Sequence, residues 1–370
     1  MTPPLQALRP VLSVAMAVGA AHALGLHDAW WAAITAFMVM QATFGASLYR
    51  GLLRVVGTVC GAALGFVLGP ALAVHPVAFV AALGAAAWGG LFAALLLRHS
   101  YAWVLALVTF IMVMCEALSN LSAPSTLQTL GSFATERVAN IVVGTLACIV
   151  VAGLTELHPK LAWSSLPVTF SPTPPSGADH RLAAFHALNG AVAVVLLAII
   201  ALLYDMRSFS QAMVTTLAVL VVPLSAAASG AVGTIDAPGT ADASASIDPT
   251  TSVLHRMAQR FAGCALAGVV AFALLPLIDG KPVWCQLVLV VGLWAGAWGM
   301  RSTFRWPYAA TQFSVAFLMV FVQDRGWNVD TDPAAQRLLG VFAGIAVLTL
   351  VIYLLKPLHT QANKPTRNLP

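Results

Sequence analysis

Charged side chains are scarce in this sequence. Only 8% of its 370 residues are Asp, Glu, Lys or Arg, against about 25% in a typical soluble domain. So little charge cannot cover a water-facing globule of this size, and a disordered chain would carry more charge and fewer apolar residues. Cysteine is scarce as well. The five cysteines form no C-x-x-C or Cys/His cluster, which argues against a disulfide framework or a structural zinc site. They read as small buried hydrophobes. No G-x-x-x-x-G-K-[ST] occurs, so ATP hydrolysis is not expected. The nine histidines include no i,i+4 pair of metal-ligand type. No cluster of His, Ser or carboxylate at reacting spacing suggests an enzyme, and no cofactor or metal is expected. The basic residues are scattered over short segments, so nucleic acid is not an expected partner.

Apolar sequence fills the chain instead. With 60% hydrophobic residues and a mean hydropathy of +0.88, it reads as an all-α integral membrane protein in a lipid bilayer, because a spanning helix needs about 20 apolar residues. Twelve runs have that character, near 10–27, 29–45, 53–72, 76–97, 101–118 and 138–157, then 182–204, 208–228, 260–278, 282–300, 307–323 and 338–356. Turn chemistry separates them, as at His75-Pro76 and Trp306-Pro307. Arg9, an apolar stretch and Ala21-His22-Ala23 also fit a cleaved signal peptide, but cleavage would break the repeat described next.

The halves answer each other. Arg54-Val-Val-Gly57 matches Arg260-Phe-Ala-Gly263 at the third span of each half, Tyr101-Ala102 matches Tyr308-Ala309 at the fifth, and Arg137 with Gly144 matches Arg337 with Gly344 at the sixth. Thr35 and Thr215 form a weaker pair. Six spans per half implies two parallel repeats about an axis along the membrane normal, with a central site. The expected organisation is a first repeat over 1–157, a Pro/Ser-rich cytoplasmic linker over 158–180, a second repeat over 181–357 holding a loop at 229–252, and a tail over 358–370. Gly57, Gly61 and Gly65 recur every fourth residue, and with Gly144, Gly263 and Gly344 they read as seams where helices approach closely.

With a cytoplasmic N-terminus and twelve spans, 13 of the 18 basic residues fall on the cytoplasmic side. The outer side receives Arg137, Arg207, Lys281, Arg325 and Arg337. The positive-inside bias therefore predicts both termini in the cytoplasm.

Taken in order, Arg9, Trp30-Trp31-Ala-Ala-Ile-Thr35, Arg50-Gly-Leu-Leu-Arg54-Val-Val-Gly57-Thr58-Val-Cys-Gly61, Tyr101 and Arg137 resemble the fusaric acid resistance / aromatic acid exporter family of bacterial inner-membrane proteins. The stretch from Arg260 through Leu275-Pro276-Leu-Ile-Asp279-Gly280 to Arg337 resembles that family's C-terminal membrane module. The resemblance implies proton-driven efflux of aromatic carboxylic acids, such as hydroxybenzoates or fusaric acid, across the inner membrane. It also implies a periplasmic adaptor protein as partner and leaves room for homo-oligomers. Longer members carry a sizeable cytoplasmic domain where this chain has about 20 linker residues. Plant malate channels resemble the same module, so an anion channel stands as the alternative, with a non-transporting scaffold beside it.

An aromatic carboxylate needs a cation for its charge and a flat face for its ring. Arg54 and Arg260 are the leading substrate residues, with membrane anchoring as their other reading. Arg137 and Arg337 follow, being set against the positive-inside trend. Tyr101, Tyr308 and Trp31 offer ring faces or belt residues, and Thr35 a hydroxyl. Glu116, and Glu136 if it does not simply neutralise Arg137, are the acids to which proton coupling is assigned.

Overall fold

The computed structural model describes residues 6–97, 99–121, 126–155, 177–204, 209–220, 249–278, 281–301, 306–322 and 332–362. Within them lie twelve helices and no strand. They are α1 (Leu8–Ala23), α2 (Trp30–Val39), α3 (Phe44–Ala73), α4 (Pro76–Leu96), α5 (Ser100–Ser119) and α6 (Thr126–Thr155), then α7 (Gly177–Tyr204), α8 (Phe209–Leu220), α9 (Pro249–Ile278), α10 (Pro282–Arg301), α11 (Pro307–Phe321) and α12 (Asp332–Ala362). Each overlaps one apolar run of the sequence. Eight are long and apolar enough to cross a membrane, whereas α1, α2, α8 and α11 have 10–17 residues.

Local chemistry sets the ends. Pro76 and Pro307 open α4 and α11, where a missing N–H costs nothing. Thr43 caps α3, its hydroxyl accepting from the Ala46 amide at 3.3 Å. The turn between α1 and α2 needs left-handed backbone at Gly25 (φ 65°) and Asp28 (φ 54°). Asp28 is held there as its carboxylate accepts from Trp30 Nε1 at 3.1 Å.

Several helices outrun the apolar stretches that announce them. α3 starts at Phe44, α6 at Thr126 and α9 at Pro249, because helical backbone satisfies its own hydrogen bonds and tolerates the polar residues at which an apolar-run reading stops. At 30 residues each, these helices are about 45 Å long against a hydrocarbon core of about 30 Å. The last residues of the expected linker and loop are likewise helical, in α7 from Gly177 and α9 from Pro249. The rest of both segments, and Asp205, Arg207, Asp279, Asp324, Arg325 and Asp330, lie outside the described residues.

The pairings of the first half recur in the second. α3 packs on α5 and α6, and α6 on α1 and α2; likewise α9 packs on α11 and α12, and α12 on α7 and α8. Contacts between halves are reciprocal too: α4 lies on α7 and α10 on α1, while α5 meets α8 and α11 meets α2. One core cluster joins Phe79, Leu83 and Ile111 to Val194 and Leu217. The other joins Val14 and Phe37 to Leu293 and Phe317. The two largest cores therefore draw on both halves of the sequence.

Glycines set the closest approaches. A Cβ on Gly57 or Gly61 would strike the backbone carbonyl of Ala102 or Ala106, and one on Gly65 would stand 2.7 Å from Val113 Cβ. Thus α3 and α5 run side by side in the same direction with nothing between their backbones. Gly263 meets the Ala309 carbonyl in the same way, Gly144 the Ala32 carbonyl, and Gly344 the Ala212 carbonyl.

Candidate functional site

In the first half the seams bring three long-range elements onto one point. Arg54, on α3, donates from Nε to Thr35 Oγ1 on α2 at 3.1 Å and from Nη1 to the Tyr101 hydroxyl on α5 at 3.0 Å. Thr35 in turn donates to the Trp31 carbonyl at 2.7 Å. Arg137, on α6, lays its guanidinium over the Trp31 ring, 3.7 Å from Cζ to centroid. Its Nε and Nη1 have no hydrogen-bond partner. Arg137 also borders a small cleft lined by Asp28, Trp31, Phe133, Glu136 and Asn140.

The second half repeats the plan with different partners. Arg260 Nη1 donates to the Tyr308 hydroxyl at 3.1 Å. Arg337 Nη2 donates to Gln312 Oε1 at 3.2 Å, and its Nη1 reaches Met319 Sδ at 3.6 Å. Exposure is 6% for Arg54, 5% for Arg137, 4% for Arg260 and 7% for Arg337. Guanidinium keeps its proton in proteins, so these are four buried positive charges.

Two sequence expectations change here. The apolar runs 53–72 and 260–278 put Arg54 and Arg260 at the starts of their spans, but α3 and α9 begin at Phe44 and Pro249 and bury both side chains. Nor do Arg54 and Arg137 sit on opposite sides: both reach the Thr35–Trp31 turn of α2, within electrostatic range of each other. The reason is the overhang of α3 and α6, which carries each arginine about ten residues, or roughly 15 Å, inside its helix.

The acids stand elsewhere. Glu136 Oε1 lies 3.2 Å from His27 Nδ1, not on Arg137, and that pair is partly exposed. Glu116 accepts from Asn120 Nδ2 at 2.8 Å, fifteen positions beyond Tyr101 on α5 and so about 22 Å further along the axis. Glu116 joins neither arginine cluster, while Glu136 lines the cleft beside Arg137 with its carboxylate on His27.

Several participants escape a sequence reading. Arg50 and Arg256 place their guanidinium carbons 4.8 and 4.5 Å from the rings of Tyr101 and Tyr308. Each precedes its cluster arginine by four residues, and that shared spacing was the available signal. Gln312 follows Tyr308 by four, on the same helix face. Asn140 gives no signal, since its Nδ2 donates at 2.7 Å to the His27 carbonyl, a partner 113 positions away. Arg9 is buried, donating from Nη1 to the Ala42 carbonyl at 2.9 Å.

The comparisons with known proteins fall on these two clusters. The model of the fusaric acid resistance protein family matches residues 4–164, which hold Arg54, Tyr101 and Arg137. A second, described as fusaric acid resistance protein-like, matches residues 243–351, which hold Arg260, Tyr308 and Arg337. No curated protein and no solved structure matches the chain. Matched across both helical halves, this multi-helix, membrane-type chain belongs to the fusaric acid resistance protein family.

Proposed function

We propose that the chain is an inner-membrane carrier that exports aromatic carboxylic acids or related organic anions, with Arg54, Thr35, Tyr101, Arg137 and Trp31 as its substrate site. The observation that carries this is Arg137: a buried guanidinium stacked on an indole, with two N–H-bearing nitrogens unspent. These two nitrogens sit on different edges of the guanidinium, so a carboxylate can take a charge-assisted hydrogen bond from either one. The Trp31 ring, stacked under Arg137 and 4.1 Å from the Trp30 ring, has its half-buried edge to offer to the ring of the same molecule. Arg54 keeps its bonds to Thr35 and Tyr101 and adds positive potential without having to move.

In this reading the protein is two six-helix repeats, with both termini in the cytoplasm. The recurrent pairings and the match of Arg260–Tyr308 to Arg54–Tyr101 support the repeat. Export draws on the proton gradient, works with a periplasmic adaptor, and involves transport rather than catalysis. Glu116 lies away from the arginines, so coupling through it acts by moving helices, whereas Glu136 borders the Arg137 cleft and couples from beside the substrate.

Flux of 4-hydroxybenzoate from proteoliposomes, with and without an inward proton gradient, tests the reading. Arg54→Ala and Arg137→Ala should reduce uptake-corrected efflux to background while the protein remains folded. Wild-type flux at background refutes transport; undiminished flux in both variants removes the site. Gradient-driven flux unchanged in Glu116→Gln and Glu136→Gln refutes the assignment of coupling to these acids.

A further inference from the structure

The buried charge of the helix bundle does not balance. Arg9, Arg54, Arg137, Arg260 and Arg337 are each more than nine-tenths buried, and among the described residues no Asp or Glu is. The ion pair recorded among those residues, His27 with Glu136, lies at a partly exposed edge. A guanidinium cannot escape burial by losing its proton, and a buried charge without a partner is far more costly than a paired one. An anion from solution can supply what the described residues do not.

The two clusters differ in what they can accept. The first is open at one side: Trp31 and Tyr101 are half-buried, and Arg137 borders the cleft. In the second, Arg260, Tyr308, Gln312 and Arg337 are all buried. Gln211 stands in the place of Trp31, its carbonyl accepting from the Thr215 hydroxyl as the Trp31 carbonyl accepts from Thr35. What the second cluster has to offer is donors. Arg260 Nε and Arg337 Nε have no partner. The Tyr308 hydroxyl accepts from Arg260 and keeps its own hydrogen. Gln312 Oε1 is spent on Arg337. Enclosure, two positive charges and unspent donors suit a small monovalent anion without directional demands. A ring does not fit that description, and a tetrahedral oxyanion brings more acceptors than these donors can serve.

We propose that the Arg260–Tyr308–Arg337 cluster is a binding site for a small inorganic monovalent anion, chloride in ordinary media, held as a resident counter-charge and separate from the organic-anion site around Arg137. The two halves then share a framework and divide the ligands. The bound halide offsets one of that half's buried positive charges whether or not the other half carries an aromatic acid, so the site stands independently of the transport reading.

Thermal unfolding of the purified full-length protein, with sodium chloride or bromide exchanged for sodium gluconate at constant ionic strength, tests this. The wild type should be stabilised saturably by both halides. Arg337→Gln should weaken the halide response about tenfold or more, the loss of a charge-assisted bond. Tyr308→Phe, which leaves both cations in place, should weaken it in the same direction and decides the matter if Arg337→Gln does not fold. Arg137→Gln should leave the response intact. No halide-specific stabilisation of the wild type, an equal response in Tyr308→Phe, or a response abolished by Arg137→Gln would each overturn the assignment. A parallel benzoate titration reads the first cluster: a benzoate response that survives Arg137→Gln refutes the organic-anion site and leaves the halide site untouched.

Discussion

Replacing Gly144 by alanine tests whether helix contact positions the first cluster. Alanine is the better helix former by about 1 kcal/mol, so an open position should gain from the change. Gly144 is not open: its Cβ would run into the Ala32 carbonyl and stand 2.8 Å from Thr35 Cβ, where ordinary contact begins at 3.4 Å. A carbonyl within a helix cannot rotate away, so α2 must retreat as a body by at least about 0.6 Å, the distance that clears Thr35, and by more to clear the carbonyl. Overpacking of this kind costs about 1–3 kcal/mol. Gly89→Ala is the reference, since nothing lies within 4 Å of its Cβ. Gly144→Ala should therefore be less stable than Gly89→Ala by about 1–3 kcal/mol in thermal or denaturant unfolding. The retreat carries Thr35 and Trp31, so the 3.1 Å bond from Arg54 stretches toward the limit of a hydrogen bond. Losing it, at about 1.5–3 kcal/mol for a charged donor, should cut 4-hydroxybenzoate flux about tenfold or more. Equal stability of the two variants together with wild-type flux would refute the reasoning.

Tyr101→Phe removes the acceptor of Arg54 Nη1 and should destabilise by about 1–3 kcal/mol, read by denaturant unfolding; no change would mean that water replaces the hydroxyl. Trp31→Ala removes the face beneath Arg137 and should raise the KM for aromatic acids about tenfold or more, a desolvated cation–π contact being worth about 2 kcal/mol, whereas Trp31→Phe should retain most of the affinity. Glu136→Gln breaks a partly exposed pair with His27 and should shift stability by less than about 1 kcal/mol. Asn140→Ala, which loses the 2.7 Å bond to the His27 carbonyl, should cost about 1 kcal/mol and more than Glu136→Gln in the same unfolding assay.

Much of the site can be read in one dimension because it is written twice. Arg54 with Gly57 and Arg260 with Gly263 share a spacing, and so do Arg137 with Gly144 and Arg337 with Gly344. In each case the glycine touches a neighbouring backbone, and the arginine beside it enters the cluster. Gln312 and Asn140 have no such echo, and their partners lie 25 and 113 positions away. Such contacts depend on how helices are placed against one another, which no local spacing records.

Composition alone determined the membrane class and the helical architecture, because 8% charged residues leave no other way to satisfy so much apolar surface and backbone. Spacing alone determined which arginines, tyrosines and glycines belong together. Depth and company were decided by the tertiary structure. Arg54 and Arg137 read as charges at the starts of oppositely directed spans, one on each side of the membrane, until the overhang of α3 and α6 brings both onto one turn of α2. The cores likewise join helices from both halves, since an apolar face records that it must be covered but not which helix covers it. The difference between the clusters, an indole under Arg137 and an amide against Arg337, emerges only when residues far apart in the chain meet.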